Sequence, residues 1–348
     1  MPSTELIYNS WYVAAPSGKV ARASMFPVTL LGQQLLLVRD NNGTVSALRD
    51  FCPHRGIPLR YGRYDGSEIE CCYHGWCFAS NGQCTKIPSL TDDDKVDISR
   101  VKAASFPCRE ENGVIWVYVL APKTRTPETL PDLPELPGPE NKPFYWVDSV
   151  NMPCNIDHAV IGLMDPSHGP YVHASWWWRS QRSMHVKQKQ FAPTKLGFRM
   201  VAHKPSSNSR AYKILGGEPV TEIAFQLPSL RTEHITIGNN HIVLLTALTP
   251  TDEGSTTLHQ FIFTNIRFVK MLLPILKPFG KAFIQQDVRI VEKQQEGLRG
   301  EHPALMLLGD ADQQALWYHK IKREYLQSQA QNVAFENPLK EKLLRWRS

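Results

Sequence analysis

The distribution of apolar and polar positions divides the chain into three stretches. In the first third, short β-type runs, among them Pro27–Leu37 (PVTLLGQQLLL), Thr44–Asp50 and Gly113–Leu120, alternate with Asn-Asn-Gly, Asp-Gly and Asn-Gly pairs. Runs of this kind, bounded by such turn formers, predict short strands joined by tight turns, hence a small all-β domain over residues 1–121. Seven prolines then fall between Pro122 and Pro143. Proline fixes φ and removes a backbone donor, so 122–143 is expected to be an extended connector. Strand-like runs resume at Phe144–Asn151, Thr221–Phe225, His234–Thr249 and Thr256–Arg267, and helical periodicity takes over after Lys270, notably in Lys281–Arg299 and Ala311–Ser328. Residues 144–348 therefore read as an α+β domain, strands first and helices late. There is no internal repeat.

Composition narrows the class. A chain of 348 residues, 42% apolar and 21% charged, has the make-up of an ordinary globular protein with room for two cores. The greasiest stretch, Phe268–Ile284, is interrupted by Lys270, Pro274, Lys277, Pro278, Gly280 and Lys281, so no membrane span is expected. A helix packed over an active site is a more economical reading of that stretch than a membrane-surface helix. Met1–Ser10 has no basic flank followed by an apolar run, so no signal peptide is expected. The net charge of +6 is mild and scattered, which suits a solubilising surface and argues against nucleic-acid binding. Seven cysteines, four of them between Cys71 and Cys84, point away from an extracellular disulfide framework. Metal binding in a reducing cytoplasm fits better.

Two constellations carry chemistry. The first is Cys52-Pro-His54-Arg-Gly with Cys71-Cys-Tyr-His74-Gly-Trp76, 16 residues lying between His54 and Cys71. Each arm presents one cysteine and one histidine. A Rieske [2Fe–2S] cluster binds one iron through two thiolates and the other through two imidazoles, so each loop would supply one ligand to each iron. Neutral imidazoles in place of thiolates remove negative charge and raise the reduction potential. The glycine after each histidine is expected to let backbone amides approach the sulfurs. Structural zinc sites pair Cys with Cys and His with His at short spacing, which neither arm does. Cys72, beside a ligand, can compete for iron, but the histidine spacing favours Cys71. Cys77, Cys84, Cys108 and Cys154 read as small buried hydrophobes.

The second constellation is Asp165-Pro-Ser-His168-Gly-Pro-Tyr-Val-His173. Asp165 before proline reads as a helix N-cap, with Asp165 and His168 on one face. His168 and His173 would diverge by about 140° on a regular helix, and Gly169-Pro170 supplies the distortion that can let them converge. Two imidazoles leave a ferrous ion needing a carboxylate to complete a facial triad. Asp287 is the best candidate, since helical spacing sets it on an apolar face with Phe283, Ile284, Ile290 and Val291. There it either ligates metal or pairs with a buried Arg or Lys.

CPHRG and CCYHGW resemble the Rieske domain of ring-hydroxylating oxygenases, and the opening NSWYVAA resembles the start of vanillate demethylase-type oxygenase subunits. The resemblance covers the whole chain, although over 180–268 it is one of layout. It implies a Rieske domain followed by a helix-grip (START-like) catalytic domain, with an antiparallel sheet and covering helices. It also implies a mononuclear iron held by His168, His173 and Asp287. Asp165 would then bridge His168 to a cluster histidine, His74, of a neighbouring subunit in a head-to-tail homotrimer. The family commonly has proline where Cys72 stands. It often has asparagine where Gly162 stands, a role that Asn155 or Asp157 is the candidate to fill.

The implied activity is that of a terminal oxygenase. A separate NAD(P)H-dependent reductase would supply electrons, because the chain has no flavin or nicotinamide fingerprint. The substrate would be a small hydrophobic molecule, probed together with O₂. Monooxygenation, as hydroxylation or O- or N-demethylation, is the leading reading. Cis-dihydroxylation or sterol and terpenoid oxidation is the alternative, and a Rieske electron carrier is a distant one. A carrier would need only the first domain and would have no use for His168 and His173. Trp176, Trp177 and Trp178 read either as a pocket wall or as packing residues, and the basic tail Lys340–Arg347 as a solvated terminus.

Overall fold

The computed structural model describes residues 5–122, 124–138, 143–173, 184–204, 218–300 and 303–348. Trp176, Trp177 and Trp178 lie outside the described residues. The chain forms two compact units, one built on Leu6–Pro134 with Thr249–Asp252, the other on Glu135–Leu248 and Glu253–Ser348.

The first unit is all β. Its strands are β1 (Ser10–Pro16), β2 (Ser24–Leu30), β3 (Gln33–Arg39), β4 (Val45–Arg49), β5 (Arg63–Tyr64), β6 (Glu68–Glu70), β7 (Cys77–Ala79), β8 (Cys84–Lys86), β9 (Ser105–Phe106), β10 (Cys108–Glu111) and β11 (Val114–Val119). They pair as three antiparallel sheets, in the orders β1-β11-β10, β2-β3-β4-β9 and β5-β6-β7-β8. The apolar run Pro27–Leu37 is a hairpin rather than one strand. Leu31 and Gly32 take positive φ, and β3 returns along β2. Between β10 and β11, Asn112 and Gly113 both have positive φ, as a two-residue turn matched to strand twist requires. Every residue of β1 and β11 is buried, so these strands read as continuous apolar runs rather than alternating ones.

The second unit is α+β. Strands β12 (Tyr145–Met152), β13 (Val186–Thr194), β14 (Gly197–His203), β15 (Val220–Gln226), β16 (Leu230–Ile237), β17 (Asn240–Pro250), β18 (Thr256–Thr264) and β19 (Lys342–Arg347) form one eight-stranded sheet in the order β12-β18-β17-β16-β15-β14-β13-β19. Among the described residues the helices are α1 (Ile156–Met164), α2 (Gly169–Val172), α3 (Arg267–Gly297) and α4 (Gln313–Gln331). One sheet face carries the helices. Phe191 and Phe198 meet Trp317 of α4, Phe225 meets Tyr318, and Ile235, Ile242 and Ile262 pack with Ile266 and Val269 at the start of α3.

The structure corrects two expectations, for the basic tail and for Asp165. The basic tail is a sheet strand, because Leu344 and Trp346 alternate with exposed residues and are buried while β19 pairs with β13. The helix expected over Phe268–Ile284 is present: it starts at Arg267 and runs unbroken through Pro274 and Pro278, both exposed and one turn apart, so neither ring is driven into the packed side. Asp165 is not an N-cap: it ends α1 with extended ψ, as a residue before proline prefers, and its carboxylate accepts from Ser167 N and Oγ. No described helix is long and apolar enough to cross a membrane.

Candidate metal centres and active site

The two cysteine–histidine arms close in the same way. Cys52 N–H donates to Ile57 O at 2.8 Å and Cys71 N–H to Trp76 O at 2.9 Å, while Gly56 N–H and Gly75 N–H return to the carbonyls of Cys52 and Cys71 at 2.9 and 3.0 Å. Both glycines take positive φ, which permits these tight closures. The glycine amides thus go to carbonyl oxygens and not to sulfur. The amides that reach the Cys52 sulfur are those of His54 and Arg55. Each cysteine is buried in the core formed by Leu36, Val38, Leu48, Leu59, Ile69 and Phe78, whereas His54 is half-exposed and His74 exposed.

This arrangement segregates the donors. The Cys52 and Cys71 thiols lie in hydrogen-bonding contact, and the His54 and His74 rings meet edge to face at 4.4 Å. Burial pushes the Cys52 thiol up to about 11, a penalty a bound cation would reverse. Burial and the neighbouring His74 hold His54 below its ordinary value, favouring the neutral ligand form. Trp76 stacks on His54 at 4.5 Å and 3°, fixing the ring plane. Two thiols inside and two imidazoles outside suit a cluster whose irons take different ligands. Arg60 Nη1 reaches the fully buried Asp50 carboxylate at 2.6 Å and anchors the exit of the first arm.

In the second unit α1, α2 and α3 bring three donors together. His168 Nε2 and His173 Nε2 are 3.0 Å apart, and Asp287 Oδ1 stands 3.3 Å from His173 Nε2 and 3.7 Å from His168 Nε2. All three fall within 4.8 Å of one another. An ion with bonds of about 2.1 Å spaces adjacent donors about 3 Å apart in octahedral geometry. The residues therefore fit a mononuclear non-haem iron with two imidazoles and one carboxylate, leaving other positions open. Among the described residues Asp287 pairs with the two imidazoles and not with a Lys or Arg.

The groups behind the donors set their orientation. His173 is buried, stacked on Phe283 at 3.7 Å and 13°, and its Nδ1 lies 2.9 Å from Gln286 Oε1. Donation of the Nδ1 proton to that amide oxygen selects the tautomer that leaves Nε2 with its lone pair towards His168 and Asp287. Asp165 Oδ2 stands 3.6 Å from His168 Nδ1, so this contact is electrostatic at the present spacing. Burial opposes charge on both groups, but mutual attraction outweighs it, raising His168 and lowering Asp165. Gln286 is the functional residue that the sequence reading missed. It is 113 positions from its partner, and the available signal was an amide next to Asp287 on an otherwise apolar face.

Asn155 and Asp157 do not stand in for the side chain missing at Gly162. Asn155 accepts from His158 N to cap α1, and Asp157 is taken by Tyr318 and Lys322 of α4, each at 2.6 Å. An added Cβ at Gly162 would meet nothing within 4 Å.

Together, a Cys₂His₂ pair of loops and a His-His-Asp triad define a Rieske-type iron oxidoreductase. Residues 10–107 match the Rieske [2Fe-2S] domain, and residues 152–327 match the vanillate O-demethylase oxygenase C-terminal domain, just over half of the chain. The chain is 35% identical over 176 residues to chlorophyllide a oxygenase of Chlamydomonas reinhardtii, covering 50% of this chain and 26% of that protein. It is 32% identical over 165 residues to the 4beta-methylsterol monooxygenase of Methylococcus capsulatus, covering 47% and 44%. The chain thus spans less than half the length of these curated relatives. A crystal structure of dicamba monooxygenase bound to dicamba has the same fold, with a TM-score of 0.70 at 22% identity, over 93% of this chain and 98% of that one. The chain belongs to the Rieske-type non-haem iron oxygenases of the ring-hydroxylating and demethylase family.

Proposed function

We propose that this chain is the terminal oxygenase of a multicomponent Rieske system. It uses O₂ and electrons from a separate NAD(P)H-dependent reductase to hydroxylate, or to O- or N-demethylate, a hydrophobic and preferably aromatic substrate. The observation that carries the proposal is the convergence of His168 Nε2, His173 Nε2 and Asp287 Oδ1, which an electron carrier would not need. When bound, the two iron groups supply stored single electrons and a ferrous centre for O₂ activation. Cys52 and Cys71 hold the inner part of the cluster, His54 and His74 the outer part. His168, His173 and Asp287 hold the mononuclear ion on one side. The sheet with its overlying helices acts as a helix grip, and the subunits form a head-to-tail homotrimer.

Asp165 is the bridging group in this reading. Its carboxylate faces His168 Nδ1 at 3.6 Å, an electrostatic contact, and, by the family resemblance, reaches a cluster histidine of a neighbouring subunit. Asp165→Asn is expected to keep both metals while slowing electron passage between them, read as stopped-flow reoxidation of the cluster. An unchanged rate would remove Asp165 from the route. Gln286→Leu is expected to weaken ferrous-ion retention by about 10–100-fold, as loss of an outer hydrogen bond to a ligand histidine typically does. Competition against a chelator measures this, and equal retention would show that the Gln286 contact is incidental.

The activity itself is tested by reduction with dithionite and exposure to O₂ beside a panel of methoxylated aromatics and sterols. Formaldehyde and a phenol in one-to-one yield from a methoxylated member supports demethylation; a cis-diol would redirect the reading to dihydroxylation. Sterols belong in the panel because a 4beta-methylsterol monooxygenase is among the relatives.

A further inference from the structure

We infer that the substrate is net-neutral, an apolar skeleton bearing a hydrogen-bonding group and no carboxylate, and that the Arg231–Glu233 pair enforces this. The inference rests on the proposed oxygenase reading and deepens it. On the helix-bearing sheet face, Arg231 lies opposite Thr246 and Phe225, Glu233 opposite Leu244 and Ile223, and Ile235 opposite Ile242 and Thr221. Gln260 of β18 joins the same face by donating to Thr246 Oγ1 at 3.3 Å.

Burial along this face is uneven in an informative way. Phe225 and Thr246 at one end, and Ile235, Ile242 and Thr221 at the other, are buried. Between them Ile223, Arg231, Glu233, Leu244, Gln260 and Ile262 keep part of their surface open, although they occupy central strands. Open side chains ringed by closed ones, in the middle of a covered sheet, line a hollow.

Register ties the hollow to the metal site. Asp148 of β12 is opposite Gln260 and is reached by Lys281 of α3 at 3.5 Å. Asp287 follows Lys281 by six residues, about 9 Å along a helix axis. A compact molecule seated on Gln260 therefore lies within its own length of the triad.

The lining chemistry selects the ligand. Arg231 Nη2 is 3.3 Å from Glu233 Oε2, and both side chains are mostly buried, at 19% and 15% exposure. Lys281 is likewise matched by Asp148, and burial holds the nearby His203 below its ordinary value. Glu233 neutralises the guanidinium that would otherwise attract a carboxylate, and a second carboxylate beside it would meet like charge in a poorly solvated place. A neutral amide, carbonyl or hydroxyl loses nothing there, because Gln260 and the ion pair offer both donors and acceptors. The Thr221 hydroxyl on the same face is buried without a hydrogen-bond partner among the described residues, a further group for a polar atom to satisfy.

Calorimetric titration of the purified holoenzyme with three isosteres tests this: 4-methoxybenzamide, 4-methoxybenzoate and 4-methylanisole. The native chain is expected to bind the amide at least about tenfold tighter than the benzoate. Glu233→Gln keeps shape and hydrogen bonding but exposes the Arg231 charge, and is expected to shift the ratio at least about tenfold towards the benzoate. The Glu233→Gln, Arg231→Gln double variant should restore the amide preference, which separates the charge effect from damage to the fold. Benzoate preferred by the native chain, a ratio unmoved by Glu233→Gln, or no binding of any of the three overturns the inference. Iron content of the same samples separates this outcome from failure of the oxygenase reading, which would show as a vacant triad in the native chain.

Discussion

His173→Ala is expected to retain the full visible absorption of the cluster while losing the mononuclear iron and all O₂-dependent product. His173 is the most buried of the three donors, pinned by Phe283 on its face and by Gln286 at Nδ1. Removing the imbedded imidazole leaves His168 and Asp287, two donors that cannot define a facial site. The loss should exceed the roughly 10–100-fold that removal of an outer hydrogen bond causes. His168→Ala should behave alike. The cluster arms belong to the other unit and share no residue with the triad, so their absorption serves as the internal control. Product formation that survives either change would remove these histidines from the reaction.

The second large effect is expected at a distance from any donor. Lys322 is nearly buried in α4, and its ammonium reaches Asp157 of α1 at 2.6 Å beside the Tyr318 hydroxyl. Lys322→Met would leave Asp157 as an uncompensated carboxylate, which in a buried pair costs about 3–5 kcal/mol. Asp157 retains some exposure and the Tyr318 bond, so the lower end, about 3 kcal/mol, is expected from denaturant midpoints. Asp157→Leu combined with Lys322→Met should recover most of this, because a buried pair replaced by apolar groups is close to neutral. Since α1 ends at Asp165, the single variant should also shed mononuclear iron before it loses the cluster. Equal stability of the single variant and the native chain would show that the pair does not hold α1.

Much of the chemistry was legible because it depends on local spacing. Cys52, His54, Cys71 and His74 sit on two short arms whose closure is set within six residues, so a one-dimensional pattern carries the site. The triad was harder to read. His168 and His173 converge because Asp165 leaves the helix and α2 restarts at Gly169, a break that Gly169-Pro170 announced although the role expected of Asp165 as an N-cap did not hold. Gln286 carried only the weak signal of an amide beside Asp287, and the Arg231–Glu233 pair carried none, since each acquires meaning through a partner element or a sheet register. Strand β19 was misread for a related reason. Its alternation is plain in Lys342–Arg347, but charge dominated the tail until β13 supplied an edge to pair with.

The most direct test of the account is the iron and acid-labile sulfide content of the purified, fully loaded chain. The account predicts the [2Fe–2S] pair of irons with matching sulfide plus one further iron, the last removed selectively by His173→Ala. A chain saturated with sulfide-bridged iron that takes up no additional iron would contradict it and leave an electron carrier in its place.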